Sequence, residues 1–338
     1  MQTFRNIYLK TRLWALLAFM LALPLLLPSQ YAMHVANLSL IFAIMSLSLN
    51  LLTGCTGLFS VGHVAFYGIG AYTSALLTTK LGVSVWLGFV AAGCVAALCS
   101  LILGLPSIRL RGLFLAVSTL AFGEITYQLL LNWRGLTNGS SGVIAIPSPA
   151  IGNFQIDTYE RFYYLILLAL IVIVILSKNL IHSRVGRALL SIRENETASA
   201  AMGVNTFKFK IMIFMCSAFF AGLAGALYAH EVHYISPDSF KAAESTSVLA
   251  MMVVGGIGHL PGSILGGVLL TVIPEMLRSF GDIRLVLYGA AIVLIVVFAP
   301  KGIGGLLDSI DDAILGKRRL FARKKAAPKG GNTPKEDA

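Results

Sequence analysis

Charge is what this sequence has least of. Asp, Glu, Lys and Arg together make up 12% of its residues, against roughly 25% in a soluble domain. Hydrophobic residues make up 57%, and the mean hydropathy is +0.82. A soluble globular domain is thereby excluded, and the chain reads as an integral membrane protein. Alternation of apolar and polar residues is missing too. The apolar stretches are continuous runs of roughly 15 to 23 residues, close to what a helix needs to cross a hydrocarbon core, so an outer-membrane barrel is excluded. Cysteines number only four, Cys55, Cys94, Cys99 and Cys216. They lie in or beside apolar runs at no metal-ligand spacing and read as packing residues. No G-x-x-x-x-G-K-[ST] phosphate loop occurs, because Gly316-Lys317 is followed by Arg318 and lacks the preceding glycine; H-E-x-x-H, Cys-x-x-Cys and G-x-S-x-G are absent as well. The chain is therefore expected to be non-enzymatic, with no catalytic residue, no metal and no cofactor of its own. If ATP drives it, another chain binds the nucleotide.

Ten apolar segments are present, and they predict an all-α polytopic membrane protein: 13–27, 35–53, 57–79, 85–105, 113–132, 162–181, 208–230, 245–258, 262–277 and 285–299. The net charge of +11 sits at the segment boundaries and not on a separate basic domain, so nucleic-acid binding is discounted. With the N-terminus in the cytoplasm, one side holds Arg5, Lys10 and Arg12, Arg109 and Arg111, six basic residues in the loop near 178–210, and nine after Pro300. The other side holds Lys80, Arg134, Arg161, Lys241, Arg278 and Arg284. This bias places both termini inside. The cytoplasmic N-terminus would cover 1–12 and the transmembrane domain 13–300. The basic, low-complexity tail from 301 to 338 is expected to be disordered or to lie on anionic lipid. The first segment also resembles a signal peptide; the weak cleavage site after Pro28 favours a retained helix.

Two segments are irregular. Segment 57–79 carries Gly57, Gly62, Gly68 and Gly70 with Ser60 and His63, which fits close helix packing, a broken helix lining a polar path, or both. The stretch from Ser247 to Gly258 spans about 18 Å as a helix, too short for a hydrocarbon core of about 30 Å. Pro261 and a Gly262/Gly266 G-x-x-x-G spacing follow, so 245–258 and 262–277 read as two short tilted spans or a re-entrant hairpin. Ionisable residues within segments are few. Glu124 falls near the centre of one, where charge costs roughly 3 kcal/mol, and must be paired, protonated or in contact with water. His63 and the set Ser46, Ser48, Asn50 and Thr53 fit either interhelical hydrogen bonds or a polar route. Asn50, Ser60, His63 and Glu124 are the candidate path residues.

Between segments 162–181 and 208–230 lies a polar interruption, about 182–207. Val185, Leu189 and Ile192 recur at i, i+4 and i+7, predicting an amphipathic helix with Ser183 as N-cap and Gly203 at its stop. Ala198, Ala200, Ala201 and Met202 are oddly apolar for a face that meets only water, and read as a docking surface. A stand-alone secondary transporter stays open at this point, although inverted repeats and several intramembrane charges would be more usual there. So does a structural membrane protein.

Five stretches, Ser48 to Leu77, Ile108 to Ile125, LTNGSSGV, Ser191 to His230 and Leu249 to Arg278, resemble in order the LivM-type permease of branched-chain amino-acid ABC transporters. The resemblance implies an ABC importer permease in the bacterial inner membrane. Its implied partners are a LivH-type permease, two cytoplasmic ATPase subunits that bind ATP and Mg, and a periplasmic substrate-binding protein. It also places the coupling segment on Arg193 to Gly203, and so implies Arg193, Glu194, Glu196, Ala200, Ala201 and Gly203 as contacts to the motor. Related permeases carry urea, amides or small carboxylic acids; the pattern favours amino acids. Cys55 and His259 depart from the residues usual in the family.

Overall fold

The computed structural model describes residues 20–25, 29–107, 112–152, 154–281, 283–299 and 301–314. Helix α1 (Gln30–Thr56) is the hub. Its 27 residues rise about 40 Å, and it is apolar on every side, as expected of a helix wrapped by others. In its most apolar stretch 83% of residues are buried. It ends at Gly57, whose φ of 72° is left-handed and whose N–H returns to the Thr53 carbonyl.

The chain then stays non-helical from 57 to 63 before α2 (Val64–Lys80) begins. His63 lies 2.8 Å from Ser48, which sits two turns before the end of α1. The non-helical strand therefore climbs about 12 Å back along α1. Such backbone is tolerated at membrane depth only when buried in protein. Ser60 and His63 are buried, the Val61 N–H donates to Thr119 Oγ1 at 2.9 Å, and a Cβ on Gly62 would strike the Thr119 carbonyl. The segment is thus both broken and closely packed.

Helices α3 (Val85–Ser107), α4 (Leu113–Asn132), α5 (Tyr159–His182), α6 (Arg184–Glu194), α7 (Glu196–Ala201) and α8 (Thr206–Val232) follow. Small residues let α2, α3 and α8 approach closely: Gly70 faces the Gly222 backbone, Gly225 the Tyr67 carbonyl, and Gly222 the Ala92 and Ala96 positions. Next come α9 (Ala242–Gly255), α10 (Leu260–Met276), α11 (Ile283–Phe298) and α12 (Gly302–Ile314). Gly255 packs on Gly262 and Gly266, and Gly266 meets the Met251 carbonyl, so α9 and α10 form an antiparallel hairpin about the Gly256–His259 turn. Gly267 seats α10 on Ala43 of α1. The outer connection after α4 adds a two-residue ladder, Ala150–Ile151 with Phe154–Gln155, and a bridge from Val143 to Ile235. Nearby, exposed Asp238 and Lys241 pair at 2.9 Å, which lowers the carboxyl's pKa and raises the amine's, and Tyr127 of α4 donates to Asp238.

The architecture is all-α and polytopic, and the apolar segments differ in how they are built. Among the described residues, five helices, α1, α3, α4, α5 and α8, are long and apolar enough to cross alone, and α11 with the start of α12 makes a sixth, bent by 45°. Helices α2, α9 and α10 have 17, 14 and 17 residues, about 21 to 26 Å. Glycine turns and the strand 57–63 occupy the rest of their apolar segments. Of the first segment only 20–25 is described, and it is helical. The tail is also corrected at its start. Residues 302–314 form α12, with Ile303, Leu306 and Ile310 at helical spacing and Gly302 and Gly304 packed on Gly256 and His259. The remaining tail and residues 1–12 lie outside the described residues.

Candidate functional site

The loop between α5 and α8 is built by caps. Ser183 Oγ accepts the Gly186 N–H at 3.2 Å and starts α6, whose Leu189 and Ile192 are buried. Asn195 breaks the helix; its Oδ1 accepts the Ala198 N–H at 3.0 Å and starts α7. Gly203, at φ 86°, ends that turn, and Asn205 caps α8. Two charged side chains fasten the loop to the bundle. Arg193 Nη1 donates to the Gly54 carbonyl at 2.6 Å, and Lys210 Nζ pairs with Glu196 at 2.6 Å, the Lys210 side chain being 5% exposed. Glu194, Ala198, Ala200, Ala201, Met202 and Gly203 are exposed, Met202 to 85%.

The six predicted coupling residues therefore lie together but divide by geometry. Arg193, itself exposed, and half-buried Glu196 bond to the bundle as anchors, while Glu194, Ala200, Ala201 and Gly203 are exposed with no such anchor role. Behind them Asn50 clasps the α9–α10 turn: its Nδ2 donates to the His259 carbonyl at 3.2 Å, and its Oδ1 accepts the Gly258 N–H at 2.7 Å. His259 caps α10 through the Gly262 N–H and lies 3.3 Å from Asp308 of α12. From Arg193 through Gly54 and Asn50 to His259, a chain of direct contacts links the loop to the central helix and the short hairpin.

The predicted path residues are not gathered in one place. Asn50 serves that turn. His63 meets Ser48, and its Nδ1 is buried without a hydrogen-bond partner among the described residues, as is Ser60 Oγ. Glu124 is on the exposed face of α4 and accepts from Gln128 Nε2 at 2.9 Å, so within this chain it is not packed between helices. Sequence reasoning missed Glu231, which falls one residue past the segment assigned to 208–230. It is buried at the end of α8, 3.0 Å from His34 Nδ1, and takes a bond from Asn37 Nδ2 at 3.2 Å; its Oε2 has no partner among the described residues. The dipeptide His230-Glu231 inside a continuous helical pattern was the available signal. Lys210 was missed for the converse reason, being counted with the solvated loop.

The family model described as branched-chain amino acid transport system / permease component matches residues 31–297. The high-affinity branched-chain amino acid transport system permease protein LivM of Salmonella typhimurium is 37% identical over 87% of this chain and 74% of its own length, and LivM of Escherichia coli matches equally. LivH of Salmonella typhimurium is 26% identical over 78% of this chain and 91% of its own. No solved structure matches significantly. The chain belongs to the family of branched-chain amino-acid transport permease components and is of the LivM type.

Proposed function

We propose that this chain is a membrane permease of an ATP-driven importer that moves amino acids, branched aliphatic ones first, across the bacterial inner membrane. Its termini and the α6–α7 loop face the cytoplasm, consistent with the loop's excess of Lys and Arg. In this reading it works beside a LivH-type permease, on two cytoplasmic ATPases that hold ATP and Mg, and receives substrate from a periplasmic binding protein. The observation that carries the reading is the apolar step of Ala198, Ala200, Ala201 and Met202, left exposed on a loop that Arg193 and Glu196 tie to the bundle. A loop that meets only water would bury its alanines and methionine; a docking surface leaves them exposed.

The mechanism follows from the anchors. When the ATPases close, they displace the step, and Arg193 passes that displacement to the end of α1. Asn50 then carries it to the α9–α10 turn. Helices joined through glycine contacts can slide against one another, because no side chain interlocks them. Cysteines at Ala200 or Ala201 and on the ATPase surface are expected to form a cross-link in an active complex. Absence of every such cross-link would remove the docking assignment.

A further inference from the structure

Along α4, Glu124, Gln128 and Asn132 recur at i, i+4 and i+8 and are chained together. Gln128 Nε2 donates to Glu124 Oε1 at 2.9 Å, and Asn132 Nδ2 donates to the Gln128 carbonyl at 2.8 Å and lies 3.4 Å from Gln128 Oε1. All three are exposed, on a helix whose most apolar window is only 28% buried. A carboxylate and two amides are costly against hydrocarbon, and such residues almost always face a bundle interior or a water-filled cavity. The ladder ends at an open pocket of about 720 Å³, whose lining includes Asn132, Arg134, Asn138, Ser140, Ser141 and Ile144. Among the described residues, Arg134 and Glu124 each lack an oppositely charged partner.

We propose that this face of α4 is the substrate-contacting wall of the transport route, facing water and closed on its far side by the second permease. The outer pocket receives an α-amino acid, Arg134 taking its carboxylate and Ile144 its aliphatic side chain. Glu124 takes the ammonium group farther in. Eight residues separate Glu124 from Asn132, about 12 Å along the helix. An α-amino acid carries both charges on adjacent carbons and cannot span that length. The two groups therefore act in succession, carboxylate first and ammonium second. This assignment rests on the proposed role as an amino-acid permease.

The test is thiol labelling of the assembled transporter in proteoliposomes with a membrane-impermeant, charged methanethiosulfonate, after subtracting the labelling of the unsubstituted complex. Gln128→Cys is expected to react on the order of a hundredfold faster than Ile102→Cys and Leu168→Cys, whose apolar positions face outward on α3 and α5, because a thiolate in hydrocarbon is strongly disfavoured. Binding protein loaded with leucine is expected to suppress the reaction. Labelling of Gln128→Cys no faster than the controls overturns the route. Fast labelling that no amino acid suppresses overturns the assignment of substrate to this wall. Loss of the permease reading shows elsewhere, as absence of ATP-dependent uptake by the unsubstituted complex, and leaves the labelling result readable.

Discussion

At the scale of single residues, glycine sets the closest approaches between helices, and its positions divide into two kinds. At Gly225 a Cβ would collide with the Tyr67 carbonyl, whereas at Gly203 nothing lies within 4 Å and only the φ of 86° opposes a side chain. Gly225→Ala is therefore expected to remove most folded protein from the membrane. Gly203→Ala is expected to cost only about 1 to 2 kcal/mol of left-handed strain and to leave expression intact. Detergent-extracted yield and thermal unfolding distinguish the two. Glu231 makes a second contrast. Glu231→Leu leaves the Asn37 amide only its bond to the Tyr159 carbonyl, with its second N–H unpaired in a buried site, and is expected to cost about 1 to 3 kcal/mol, while Glu231→Gln keeps an acceptor oxygen and is expected to cost less. Equal unfolding midpoints for both would show that the Asn37 bond does not matter. Neither role was legible in the sequence: Gly225 looks like any other small residue, and Glu231 was hidden by a boundary error of one position.

At the scale of elements, the loop of α6 and α7 joins an exposed step to side chains that bond it to the bundle, and mutations should separate the two functions. Met202→Asp puts charge on a residue that is 85% exposed, so the permease is expected to fold and reach the membrane but to lose its ATPases on purification. Arg193→Ala removes the bond to the Gly54 carbonyl while leaving the step in place. The complex is then expected to assemble and hydrolyse ATP, with stimulation by loaded binding protein lost. Retained stimulation in Arg193→Ala would rule out the Arg193–Gly54 contact as a transmitter. Much of this element was legible. Ser183 as cap, Leu189 and Ile192 as the buried stripe and Gly203 as stop follow from local spacing and turn chemistry. What the sequence did not show was the break at Asn195 and the burial of Lys210. The first competes with a continuing helical pattern, and the second depends on a carboxylate 14 positions away.

At the scale of the whole molecule, the apolar segments and their order were readable from hydropathy, because nearly every segment sits in a helix. Their depth was not. Continuous apolar composition cannot tell a full crossing from a short helix joined to a buried strand, and 57–63, 242–255 and 260–276 are the places where that ambiguity was resolved by packing. Tail residues 302–314 show the same limit, since their helix is held by glycines on the Gly256–His259 turn. In the proposed mechanism, a separate motor acting through the α6–α7 loop drives import through this bundle. Its most direct test is uptake of labelled leucine by proteoliposomes holding either this chain alone or the full complex with second permease, ATPases and binding protein. Uptake is expected only from the full complex and only with hydrolysable ATP. Leucine accumulation by the chain alone, driven by an ion gradient and indifferent to ATP, would contradict it.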